Sequence, residues 1–168
     1  MARELDGVPG TAGIMSEVRE VRRDLVELAE GISPRLLEEH GLAGAMLVLA
    51  GRCPVPVVAT LTIGQEPVRP VQTCLLFVAS EALTNVVRHA RATSVHLRLA
   101  LDAALVTLVI VDDGHGGADP RAGSGLTGLR DRVETLGGRM TLADAPGGGT
   151  RLWVGLPVAG QLPQVLPI

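Results

Sequence analysis

Leu105-Val106-Thr107-Leu108-Val109-Ile110-Val111-Asp112-Asp113-Gly114-His115-Gly116-Gly117 is an aliphatic run that stops at two carboxylates and then a cluster of glycines. Its β-branched residues favour a strand, and 94–101 ahead of it has the same character. Only Asp102–Ala104 separates the two runs, a tight turn, so they are expected to form a hairpin. Residues 113–125 are too rich in glycine for regular structure. Glycines at a strand end let the backbone turn sharply and let a ligand approach without interference from a Cβ.

Working outward, a helix is expected at about 126–136, stopped by Gly137-Gly138. Strands at 139–144 and 150–157 flank a Pro146-Gly147-Gly148-Gly149 turn. Upstream, Pro70 suits the first turn of a long helix over 70–90. Val55 to Ile63 alternates like a strand, and 41–52 reads as a mostly apolar helix. Gly31 and Ser33-Pro34 mark a change of chain direction. Before them, Ser16 offers a cap to an amphipathic helix carrying Val18, Val21, Leu25 and Leu28 on a narrow stripe. This order of elements implies α/β architecture, a two-layer sandwich with a mixed sheet covered by helices on one face. The expected organisation is a loose N-terminus plus helix over 1–32, one domain over 33–158, and a tail over 159–168.

Composition bounds the chemistry. At 168 residues and 17.5 kDa, the chain suits one compact domain. Phe77 and Trp153 are its only aromatic residues, so the core is aliphatic and base-stacking platforms for single-stranded nucleic acid are excluded. All 15 basic residues are Arg, which excludes P-loop NTPases and lysine Schiff-base chemistry. A formal net charge of −3 offers no broad field for nucleic acid or an anionic membrane. Cys53 and Cys74 form no ligand cluster and read as buried thiols of a reducing compartment. The longest apolar run, Leu42 to Ala50, is half a membrane span. A cytoplasmic location, with no membrane contact by this segment, is the expectation.

Candidate chemistry lies in four places. On the 70–90 helix, Leu75, Leu76, Ala79, Ala82, Leu83, Val86 and Ala90 share one side, and Glu81, Asn85, Arg88 and His89 the other. The second side is either a solvated polar face or a working one. Cys74, Phe77 and Val78 on that same side speak against plain solvation, and Asn is a poor mid-helix residue unless its amide has a use. Asp112-Asp113 is either an ordinary turn or a strand-end carboxylate placed to accept from an amino group such as that of adenine. Gly123-Ser124-Gly125-Leu126-Thr127-Gly128 opens a helix, where free N–H groups and the dipole suit phosphate. As a bare pattern it is also the dinucleotide fingerprint, with Asp144 as the acid. That fingerprint needs its first glycine directly after a strand, whereas eleven residues separate Val111 from Gly123. Fourth, Gly147-Gly148-Gly149-Thr150 is a hairpin turn with a hydroxyl at its edge.

Taken in order, Glu81 to Ala90, Asp112 to Gly117, Gly123 to Leu129 and Gly147 to Thr150 resemble the nucleotide-binding boxes of sensor histidine kinases, in the superfamily that also holds gyrase, heat-shock protein 90 and MutL. Gly128 to Gly138 resembles the nitrate-sensor and lipid-thermosensor branch. The resemblance covers about 33–158 and implies an α/β sandwich that holds ATP between the long helix and a flexible lid. It implies Asn85 as ligand to Mg²⁺ and Glu81 near the γ-phosphate, orienting or deprotonating a nucleophile. Arg88 stands where the family often has Lys, and His89 is implied as a local hydrogen-bonding residue. Asp112 would read the adenine amine, Gly114 and Gly116 would form the pocket floor, and Gly123, Gly125, Leu126 and Gly128 the phosphate-facing lid. Thr150 would close the adenine side. The implied partners are ATP, a histidine-bearing dimerisation domain and a downstream response regulator, with no nucleic acid.

The family pattern also calls for a helical hairpin carrying the acceptor histidine. None of His40, His89, His96 and His115 lies on a long helix ahead of the nucleotide domain, so 16–30 reads as the remnant of the second hairpin helix. Three functions follow: a histidine-kinase catalytic domain acting on a histidine of a longer or partner chain, a regulatory module that binds ATP without transfer, or a serine kinase of the anti-sigma-factor type.

Overall fold

The computed structural model describes residues 34–102, 104–117 and 124–159. The expected helix over 16–30, Gly123 and most of the tail lie outside the described residues.

Helix α1 runs Pro34–Arg52, with an interruption at Gly41, whose φ of 63° turns the chain between two helical halves. The second half matches the helix expected over 41–52. Its opening N–H, at Leu42, is capped from a distance by the carboxylate of Glu66, 3.2 Å away. The first half, 34–40, was not expected as helix. Proline in a first turn and buried Leu36 and Leu37 carry it. Strand β1 (Val57–Thr62) follows.

Helix α2 (Arg69–Asn85) starts with Pro70 in its first turn and passes without a break into a π-helical turn, Val86–Ala90. Over Arg69–Ala90 it is long and apolar enough to cross a membrane by length and composition. In this fold its apolar residues are core: Val71, Leu75, Val78 and Ala79 are fully buried. Strands β2 (Val95–Asp102) and β3 (Leu105–Asp112) form the expected antiparallel hairpin. Helix α3 (Ser124–Thr135) and strands β4 (Arg139–Asp144) and β5 (Thr150–Pro157) complete the unit.

The sheet order is β1-β2-β3-β5-β4, with β1 parallel to β2 and every other pair antiparallel. It is the expected mixed sheet. Alternation decides its faces: Val95, Leu97 and Leu99, then Val106, Leu108 and Ile110, then Leu152, Val154 and Leu156 are all buried. Helix α2 packs on β3 and β5, and α3 on β4 and α2. Arg132 of α3 lies 4.4 Å over the ring of Phe77 of α2, a cation–π contact between the helices. The core is aliphatic, as composition required. Of the two thiols Cys74 is buried, but Cys53, just past the end of α1, is half-exposed rather than buried. Burial pushes the Cys74 thiol up to about 11, against an opposing pull from Arg132.

Candidate functional site

The site begins on α2. Glu81 and Asn85 are one turn apart and half-buried, so both project from the same side of a helix that is otherwise core. Arg88 and His89 follow in the π turn and are exposed. The turn ends at Arg91 in the left-handed conformation (φ 53°). Widened helical turns of this kind re-aim the side chains they carry, and they recur at functional sites.

Across from α2 stands the end of β3. Asp112 is in phase with Val106, Leu108 and Ile110, so its side chain points to the helical side of the sheet and is only 5% exposed. It is the sole buried charged residue among those described. Its Oδ1 accepts the N–H of Gly114 at 2.9 Å. A buried carboxylate needs further donors, and one backbone amide leaves capacity for another. Asp113 faces the other way. It accepts from the Thr93 hydroxyl (2.6 Å), the Thr93 and Ser94 N–H groups (2.7 and 2.9 Å) and the Ser94 hydroxyl (3.0 Å). These bonds, led by the Thr93 hydroxyl, hold its carboxyl well below the usual range. One carboxylate is open to a ligand and its neighbour clamps the start of β2.

The glycine segments are held in place around Asp112. The His115 N–H donates to Ala90 O (3.1 Å), and the Gly117 N–H to Asp144 Oδ1 (2.8 Å). Asp144, an alternative ribose acid by sequence, is therefore a loop tether. The β4–β5 turn crosses directly over the end of β3. Gly149 has φ 85°, and a Cβ there would collide with the Asp112 carbonyl oxygen, so only glycine fits. On the far side, a Cβ on Gly125 would lie 2.8 Å from Glu81 Oε1, which puts the first turn of α3 against that carboxylate.

These elements enclose a cavity of about 480 Å³. Glu81, Asn85, Arg88 and His89 line it from α2, and Asp112 and Gly116 from the end of β3. Gly125, Leu126 and Thr150 of the expected set line it as well. Gly114 and Gly128 are not on its wall. Gly114 sits behind it, where a Cβ would collide with Ala90 O, and Gly128 lies one turn into α3. Residues not singled out from sequence also line it: Val86, Ile110, His115, Gly117, Leu142 and Leu152. Strand alternation places Ile110, Leu142 and Leu152 on the helical side, so phase alone was the signal for them. The cavity is thus graded, with a buried carboxylate and aliphatic walls on the sheet side, and a carboxamide, a carboxylate and a guanidinium on the α2 side.

No group of three or more His, Cys, Asp or Glu side chains suited to a metal exists among the described residues. A hard cation here would take the Asn85 amide oxygen and complete its shell with water and ligand oxygens. Magnesium, which keeps most of its waters, accepts such a sparse donor set, so the residues fit.

Residues 71–160 match the family of histidine kinase-, DNA gyrase B- and HSP90-like ATPases, and the chain belongs to that family. The relatives it matches are sensor histidine kinases of two-component signalling. The signal transduction histidine-protein kinase/phosphatase UhpB of Salmonella typhimurium is 42% identical over 85 residues, covering 49% of this chain and 17% of that protein. The sensor histidine kinase NarS of Mycobacterium tuberculosis is 33% identical over 175 residues, covering 92% of this chain and 39% of that protein. The chain therefore spans well under half of either relative. The histidine kinase domain of the Erythrobacter litoralis EL346 blue-light activated kinase superposes with a TM-score of 0.55 at 24% identity, over 69% of this chain and 57% of that one, which is a likeness of fold.

Proposed function

We propose that the cavity binds Mg·ATP and that the domain transfers the γ-phosphoryl group to a histidine on a dimerisation helix of a longer or partner chain. The observation that carries this is the meeting of Asn85 and Glu81 with buried Asp112 around one cavity. Asp112 would accept from the exocyclic amine of adenine, between aliphatic walls formed by Ile110, Leu142 and Leu152. Thr150 would sit at the base edge, and Gly116 would admit the base closely. Gly125 and Leu126 would bring the N-terminal turn of α3 to the phosphates, with Gly123 and Gly128 in support of that segment. Arg88 would neutralise phosphate charge, with His89 beside it as a hydrogen-bonding residue. Glu81 would hold the attacking imidazole, or take its proton, as ADP departs. Magnesium bound with the triphosphate would supply charge neutralisation, and Asn85 is the residue that would hold it. Phosphoryl transfer needs mainly positioning and electrostatics, which this donor set can provide. A cytoplasmic location and a downstream response regulator belong to the same proposal.

The test is calorimetric titration with ATP, with and without magnesium, followed by mixing with a histidine kinase whose own magnesium-binding Asn is disabled and whose acceptor histidine is intact. We expect binding that Asn85→Ala makes insensitive to magnesium, and labelled phosphate on the partner's histidine. Heat with NADH but not ATP would overturn the site. Binding without transfer would leave a regulatory module, and phosphate on a serine of an anti-anti-sigma partner would change the substrate.

A further inference from the structure

We propose that the face of the sheet left open by the described helices docks an acidic segment of a partner protein, one that offers an aliphatic side chain between carboxylates. Among the described residues, helices cover only the face described above. On the other, the register aligns Arg98, Val109 and Trp153 across β2, β3 and β5, and His96, Val111 and Arg151 in the next row. Arg139 of β4 stands opposite Gly155, in the row on the other side of Trp153. A Cβ on Gly155 would come 2.6 Å from the tip of the Trp153 indole, so the ring extends along the strand over this glycine and broadens the apolar floor. With Pro146 at its margin, the floor forms a shallow groove of about 430 Å³. Val58 on β1, 55% exposed and opposite His96, extends the apolar strip.

Charge identifies the occupant. Arg98, Arg139 and Arg151 are exposed, and none pairs with a carboxylate among the described residues. By strand alternation two acids point the same way among the described residues: Asp102 at the edge, and Asp113 just past β3, whose carboxylate is taken up by Thr93 and Ser94. A chain of net charge −3 concentrates three exposed guanidiniums on one face, around its only tryptophan. Arg and Trp about an aliphatic centre is the composition of the energetically dominant part of protein interfaces. A lone, half-buried indole gives no run of stacking platforms, so protein is favoured over nucleic acid.

Trp153 reports on this face selectively. The experiment titrates the full chain with a short glutamate/leucine peptide, its lysine/leucine counterpart and oligothymidylate, following indole emission. We expect a saturable change with the acidic peptide alone, weakening as salt rises, and at least ~tenfold weaker in Arg98→Glu with Arg151→Glu. The milder pair Arg98→Gln, Arg151→Gln should move the affinity the same way and serves if charge reversal unfolds the sheet. No emission change, equal response to the lysine peptide, binding of oligothymidylate instead, or a folded variant that keeps its peptide affinity would each overturn the proposal. Emission that changes on dilution alone would assign the face to a second copy and overturn it too. Because these arginines lie on the face away from the cavity, ATP titration should be unchanged in both pairs, which keeps this proposal separable from the nucleotide reading.

Discussion

Replacing Asp112 by Asn alters the cavity at its buried end while preserving side-chain size. The Asn carbonyl can still accept the Gly114 N–H that Asp112 Oδ1 accepts at 2.9 Å, so the end of β3 keeps its local hydrogen bond. What changes is the other oxygen, which becomes an NH₂ donor and, in the proposed pose, would face the adenine amine, also a donor. A hydrogen bond to a charged acceptor contributes about 1.5–3 kcal/mol, so its loss should weaken ATP binding by roughly tenfold to hundredfold. Removing a charge that is 5% exposed relieves desolvation, so the ligand-free variant should melt no lower than the parent. The assay is paired: calorimetry for ATP affinity, and thermal unfolding with and without nucleotide. A variant that binds ATP within about twofold of the parent would refute the adenine assignment. A variant that melts well below the parent without nucleotide would refute the desolvation argument instead.

Asp113→Asn should show the opposite pattern, normal ATP affinity with altered acid stability. The folded carboxyl titrates below its unfolded value, so its contribution is present above about pH 4 and is lost as pH falls through and below that range. The variant's unfolding midpoint should therefore fall less steeply on acidification, and an unchanged slope would count against the clamp. Gly149→Ala should lower stability by about 2 kcal/mol or more in urea unfolding, since both φ 85° and the Asp112 carbonyl oppose a side chain. In a thiol titration at neutral pH, half-exposed Cys53 should react promptly and Cys74, with its thiol pushed up to about 11, only on unfolding. Two fast thiols would contradict the packing of α2.

Most of the sheet was legible because strand alternation and turn chemistry agree: β2, β3, β4 and β5 fall within a residue or so of the expected runs. The helical half of α1 over 34–40 was not. Pro34 and Gly41 look like interruptions in sequence, and the distant Glu66 cap that stabilises the kink has no local signature. Nor does sequence mark the π turn, since Val86–Ala90 continues the helical pattern. At the site, strand phase separates Asp112 from Asp113, because only the former continues the buried set Val106, Leu108, Ile110. Gly114 and Gly128 show the limit of motif reading. A glycine in a binding box can serve backbone packing, as Gly114 does against Ala90, without lining the cavity. Trp153 and the arginines around it belong to no motif, and only the register brings them together.

Because Asp112 occupies the place where β3 would contribute its next core aliphatic, the cavity is an unfilled layer of the hydrophobic interior. A flat heterocycle entering there would finish the packing that the polypeptide leaves undone. Cofactor occupancy and conformational robustness are then one variable: the loaded domain should resist proteolysis and heat better than the vacant one. Filling the gap with a larger aliphatic at position 112 should harden the vacant form at the expense of its ligand.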